Sequence, residues 1–304
     1  MASRAAGVRS ARNHPSAPLA AATTASLLWG FGPILVHGIA ASGLTIAIYR
    51  MWLAIPAMSV IMWLTGGRYT WQLIRRCALG GVLIGADIVL GFTSFQKTSI
   101  TNATLIGALL PVLVFVVAGP LFGERPRRVD YIAGLTAVGG VIVVVIGARD
   151  SGQAHLSGDL FAVAGLLVWS VYFLENKRQR RAGIAAFTYV AGVFLVGATV
   201  VTPYALLASS DLGAVHGTDY LLLATMVLLP GATGHGLMTW AGHSVDVTVM
   251  SLLTLISPVV SAVAAWLIYN QTLAPLQVLG GLVVLGAIAA LSVAHRPIAV
   301  PQKP

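Results

Sequence analysis

Charged residues are scarce in this chain. Asp, Glu, Lys and Arg make up 9% of its 304 residues, where a soluble domain carries about 25%. So little polar surface cannot cover a water-soluble globule, and the solvent for most of the chain must be lipid. Acids are scarcer than bases, with nine Asp and Glu against eighteen Lys and Arg. Cysteine occurs once, at Cys77, which excludes an intrachain disulfide. No P-loop and no HExxH motif is present. His235 and His243 are eight apart with no third ligand beside them, so no metal site and no cofactor are expected. Membrane β-strands would alternate polar and apolar residues, and runs such as VIVVVIG and SLLTLISPVVSAVAAWLI do not.

What is there is apolar: 57% of the residues are hydrophobic. They fall into ten runs, each near the roughly 20 residues that a helix needs to cross a hydrocarbon core of about 30 Å. The expected spans are Leu19–Val36, Leu44–Leu64, Ala78–Phe95, Ala103–Phe122, Tyr131–Gly147, Leu156–Leu174, Ile184–Leu207, Tyr220–Trp240, Val247–Tyr269 and Leu276–Ala294. This predicts an all-α, polytopic membrane protein. If the ten helices alternate in direction, fifteen of the basic residues fall on one side: Arg4, Arg9, Arg12, Arg68, Arg75, Arg76, Arg125, Arg127, Arg128, Lys177, Arg178, Arg180, Arg181, Arg296 and Lys303. Lys97 and Arg149 fall on the other. That is the positive-inside pattern; it places both termini in the cytoplasm. It also explains the basic excess as topology signals beside anionic lipid, not as a nucleic-acid surface.

The chain repeats itself. A shift of 147 residues lays Pro111 on Pro258, Gly134 on Gly281 and Gly139 on Gly286; a shift of 140 lays Leu27 on Leu167, Trp29 on Trp169 and Tyr49 on Tyr189. Each half holds five helices, and five is odd, so the second half enters the membrane upside down. The expected organisation is a basic tail (1–18), a first five-helix repeat (19–147), an external linker (148–155), an inverted second repeat (156–294) and a cytoplasmic tail (295–304). Inverted repeats around a midplane site are a signature of secondary transporters.

These residues resemble a known family. LLWGFGPIL with AIYR, ALLPVLVFVVAGPLFGERP, AGLTAVGGVIV, SGDLFAVAGLLVWSVYFL, SLLTLISPVVSAVAAWLIY and LGGLVVLGAIAAL, in this order and spacing, resemble the EamA family of the drug/metabolite transporter superfamily. The resemblance implies a ten-helix permease for small organic solutes, often an exporter, with a cavity between the halves. It implies no particular substrate. Two positions depart from symmetry. Glu124 matches the acid that the family often carries after the fourth helix of a repeat, but Gln271 stands at the matching place, and Arg50 maps onto Val190.

Ionisable residues inside membrane helices usually face a cavity or a partner. Arg50 and Asp87 lie about 9 and 12 Å below the outer surface at 1.5 Å per residue. They can form a structural ion pair between helices 2 and 3, or Asp87 can take up a proton or a cationic solute. Gly80, Asp87, Gly91 and Ser94 share one stripe of helix 3. In helix 8, Gly231, His235 and Thr239 share a face, and His235 is a second candidate for titration. Trp29 and Trp169, and Tyr49 and Tyr189, are matched pairs that either line a cavity or pack between helices. Pro111 and Pro258 should break the ladders of helices 4 and 9, with Thr104, Ser251, Thr254, Ser257 and Ser261 as hydroxyl partners for freed carbonyls. The glycines of helices 5 and 10 are expected to mediate a close contact, within one chain or across a homodimer.

The leading expectation is therefore a secondary active transporter of a small organic solute by alternating access, in the cytoplasmic membrane, with proton coupling as a subordinate expectation. An intramembrane enzyme would need a convergent Ser–His pair, two Asp or metal ligands, none of which the spans provide. A non-transporting receptor of the same fold is the third reading.

Overall fold

Inside lipid the backbone has no water to bond to, so every N–H and C=O must be satisfied within the protein, and helices do this locally. The computed structural model describes residues 16–98, 100–147, 156–269 and 275–294. The two tails, the 148–155 linker with Arg149, and Gln271 lie outside the described residues. The described chain is all-helical, in ten rods. They are α1 (Ala17–Trp29 and Gly32–His37), α2 (Gly43–Leu64), α3 (Trp71–Lys97), α4 (Ile100–Gly107 and Leu110–Phe122), α5 (Arg128–Gly147), α6 (Leu156–Arg181) and α7 (Ala186–Ala208), followed by α8 (Asp219–Ala241), α9 (Val247–Leu253 and Ile256–Tyr269) and α10 (Pro275–Ala294). Seven of these among the described residues are long and apolar enough to cross a membrane. Two rods outlast their apolar runs. α3 starts at Trp71 rather than Ala78, capped by Thr70 Oγ1 on Leu73 N–H, and α6 continues past Leu174 to Arg181. Charged residues at a bilayer surface still favour helix; hydropathy reports only the buried length.

Four rods are interrupted. Turns at Ala108–Leu109 and Thr254–Leu255 split α4 and α9 shortly before Pro111 and Pro258, as the two prolines led one to expect. Two further interruptions were not expected. α1 breaks at Gly30–Phe31, ahead of Pro33, and α8 contains a π-helical stretch, Val227–Gly234, around Pro230. Two carbonyls beside the α1 break accept across the helix interface: Ser257 Oγ donates to Ser26 O at 2.8 Å and Ser261 Oγ to Gly30 O at 2.8 Å. Gly30 is required here, because a Cβ would lie 2.5 Å from that of Val260.

Two apolar clusters form the interior. One gathers α2, α3 and α7 with the ends of α1 and α8; the other gathers α4, α5, α9 and α10 with the start of α1. Small residues let the rods approach closely. Gly81 of α3 and Gly197 of α7 face one another, and Gly140 of α5 lies against Gly280 and Val284 of α10. The glycine contact expected of helices 5 and 10 is thus made inside one chain. Trp169 packs against both clusters and marks the seam where the site lies.

Candidate functional site

A cavity of about 270 Å³ opens at this seam. Its walls come from both halves. From the first half come Trp29, Gly30 and Pro33 of α1, Arg50 of α2, Asp87, Gly91, Phe92 and Phe95 of α3, and Thr104 and Gly107 of α4. From the second half come Trp169 of α6, Pro230 and His235 of α8, and Thr254, Ser257, Pro258 and Ser261 of α9. Most of this lining is apolar or aromatic, with a few placed polar groups, as small-molecule sites usually are. Every interrupted rod sends its break into the cavity wall, which is where irregular backbone is tolerated at membrane depth.

The floor is aromatic. Trp29 and Trp169 meet edge to face with centroids 5.3 Å apart, and His235 sits 5.2 Å from Trp29 and 5.9 Å from Trp169. Phe194 closes on His235 from α7 at 5.5 Å. Trp29 Nε1 donates to Pro230 O, within the π-helical stretch, at 3.0 Å, which ties the indole across the two halves. Below this floor lies a void of about 10 Å³, between Trp169, Tyr172, Asn176, His235 and Thr239.

Arg50 and Asp87 both line the cavity and feel one another's charge. No ion pair joins them among the described residues. The Arg50 guanidinium lies over the Phe92 ring at 5.3 Å, and its buried Nε has no hydrogen-bond partner. Of the other sequence candidates, Thr104, Ser257 and Pro258 reach the cavity. The rest lie elsewhere. Ser94 donates to Gly91 O at 2.7 Å. Tyr49 Oη donates to Leu212 O at 2.9 Å. Tyr189 is fully buried, with its hydroxyl against Gly80. Thr239 accepts from Asn176 Nδ2 at 2.7 Å, one layer below the cavity. Pro111 sets the α4 break one turn from the lining residues Gly107 and Ala108. Phe92 and Phe95 line the cavity and were not singled out, since aromatics on an apolar helix carry no mark of which face they take; Thr254 and Ser261, named for the Pro258 break, line it as well.

Two polar clusters lie at opposite ends of the bundle. At the end bearing the basic loops, the buried Glu124 carboxylate accepts from Val247 N (3.0 Å), Thr248 N (3.2 Å) and Thr248 Oγ1 (3.2 Å), so it caps α9. Lys177 Nζ lies 3.7 Å and Arg181 Nη2 3.9 Å from the same carboxylate. Lys177 also donates to Val245 O, and Arg180 Nε to Thr239 O at 3.0 Å. At the other end Asp211, beyond α7, caps α2. It accepts from Ser42 N (2.5 Å), Ser42 Oγ (2.7 Å), Thr45 Oγ1 (2.5 Å) and Ser209 Oγ (2.9 Å). Burial alone would raise the Asp211 carboxyl; the bonds from Ser42, Thr45 and Ser209 outweigh it and hold the group well below the usual carboxylate range.

The pattern of the EamA-like transporter family fits residues 17–146 and, a second time, 156–293. This chain belongs to the EamA-like transporter family. Two relatives are the aromatic amino acid exporter YddG of Ancylobacter novellus, 28% identical over 67% of this chain and 71% of its own length, and protein PecM of Dickeya dadantii, 25% identical over 72% and 73%. A crystal structure 21% identical in sequence superposes with a TM-score of 0.76 over 92% of this chain and 98% of its own, which shows the same fold. As a member of the EamA-like family the chain is an integral membrane transporter of small molecules, a permease rather than an enzyme, built from two inverted five-helix repeats.

Proposed function

We propose that this protein is a secondary active transporter that exports a small organic solute bearing an apolar or aromatic ring, by alternating access, across the cytoplasmic membrane with both termini inside. One observation carries the reading: an aromatic-floored cavity of about 270 Å³ is walled by both repeats at once. A solute held there touches both halves, so rocking one half against the other changes which side it meets. The lining reaches Phe95 and Ala103, near the ends of helices at Lys97 and Ile100, whereas the basic end is closed by the aromatic floor and the Glu124 cluster. With the basic end inside, this arrangement supports reading the form as the outward-facing one. The aromatic lining and the exporter among the relatives support the solute class and the direction.

Proton coupling belongs to the same proposal. Asp87, Arg50 and His235 are the ionisable side chains lining the cavity. A proton on Asp87 removes the charge that holds a cationic group, so the two compete for one site, and competition of this kind links a solute flux to a proton flux. The purified chain in proteoliposomes with an imposed pH gradient tests both parts. Gradient-driven accumulation of ring-bearing solutes is expected, and Asp87→Asn should lose the gradient response. Binding without flux would leave a receptor, and unaltered pH response in the variant would remove Asp87 from coupling.

A further inference from the structure

Arg50 and Asp87 present a problem of charge. Two opposite charges in a medium of low dielectric are strongly favoured to close on one another. Here they share one cavity, with no ion pair and no hydrogen bond to Asp87 among the described residues. Arg50 is 6% exposed, and its Nε lacks any hydrogen-bond partner. An unpartnered donor on a buried guanidinium costs free energy unless something else accepts from it. The Phe92 ring lies 5.3 Å from the guanidinium carbon, and a guanidinium presents further donors in a fork that suits a carboxylate.

We infer that the two charges read the two ends of a zwitterion: the carboxylate of the solute takes the hydrogen bonds of Arg50, its ammonium faces Asp87, and its apolar side chain lies on the Trp29–Trp169 floor. The inference rests on the transporter reading above and narrows its substrate class. Arg50, Asp87 and the solute together carry no net charge from the added molecule, so the cavity stays electrically balanced when filled. A purely cationic solute would leave Arg50 unmet and add a positive charge beside it. A purely anionic one would do the reverse to Asp87. Planar, two-pronged recognition of a carboxylate is what a guanidinium does best.

Three probes with one ring separate the ends: L-phenylalanine (both charges), phenethylamine (cation only) and 3-phenylpropionate (anion only). Competition for transport by the full chain in proteoliposomes is expected to favour phenylalanine over each analogue by about tenfold or more, the scale of one charge-assisted hydrogen bond. Arg50→Gln should narrow the gap between phenylalanine and phenethylamine; Asp87→Asn should narrow the gap between phenylalanine and phenylpropionate. Thermal protection of the unsubstituted protein by the three probes gives the same ranking without any variant. Equal ranking of the probes, or a proportional fall for all three in both variants, overturns the inference. Vesicles that carry another solute but none of these would overturn it while sparing the transporter reading. Vesicles that move no solute at all would sink both.

Discussion

Asp211 shows at the scale of one residue how a surface acid can hold two helices in register. Its carboxylate gathers three hydrogen bonds at the start of α2 and one from Ser209 beyond α7, and they depress its pKa on folding. A depressed pKa contributes stability that is fully present above the unfolded value of about 3.9 and is lost as pH falls toward the folded value. The thermal midpoint of the protein should therefore fall as pH drops below about 4. Asp211→Asn should start from a lower midpoint at neutral pH and show a flatter acid limb, measured in one detergent from pH 7 to pH 3. The sequence did not single out Asp211, because its partners lie far along the chain at Ser42 and Thr45. Trp29 and Trp169 were marked by their matched places in the two repeats, with cavity lining and helix packing both left open. Tyr49 and Tyr189 were matched in the same way and yet leave the cavity, one for the Leu212 carbonyl and one for the space over Gly80. Repeat symmetry fixes a position along a helix but not the neighbours that a side chain meets.

For the elements, glycine decides how near two rods can come. A Cβ on Gly140 would sit 2.8 Å from Val284 Cγ2 and 2.9 Å from the Gly280 carbonyl, whereas one on Gly139 would meet nothing within 4 Å. Gly140→Leu should destabilise the α5–α10 contact by about 1–3 kcal/mol, and Gly139→Leu should stay within about 0.5 kcal/mol of the parent. Unfolding midpoints of the two variants side by side check this, and similar losses in both would show that the contact is not what counts. The breaks divide in the same way between sequence and structure. Pro111 and Pro258 announced theirs. The gap in α1 was hidden, because Gly30–Phe31 is apolar and its carbonyls find Ser257 and Ser261 only after α9 has packed. The π-helical stretch of α8 was hidden for a similar reason: the bond from Trp29 Nε1 to the Pro230 carbonyl comes from the other half of the chain.

Across the whole molecule, Glu124 ties the end of α4 to α9 and, through Lys177, to α6, so one carboxylate joins both repeats at the basic end. The Lys177 and Glu124 side chains are 2% and 4% exposed, so removing one strands the other in a dry place. Glu124→Ala should cost about 3–5 kcal/mol of whatever state this cluster closes. Arg181 adds little, being 42% exposed. If alternating access is right, the loss falls on the outward-facing state. A reporter cysteine at Met250, in a background with Cys77→Ala, should then label faster from the basic side when Glu124 is also replaced. Unchanged labelling with unchanged stability would remove the cluster as a closing device. Reporter fusions at both termini test the orientation on which this rests.

Composition alone made this a membrane protein, because too few charges exist to face water and lipid then leaves helices as the means of satisfying the backbone. The odd number of spans per repeat and the placing of the bases gave the inverted pairing. Those are properties of counting and periodicity, which survive without knowing any contact. Packing decided the rest: that Arg50 and Asp87 share a cavity without closing on each other, that Trp29 spans the seam to Pro230, and that Glu124 caps a helix more than a hundred residues away. Such facts depend on how each rod is rotated about its axis, and in a helix apolar on every side no hydropathy pattern records that rotation.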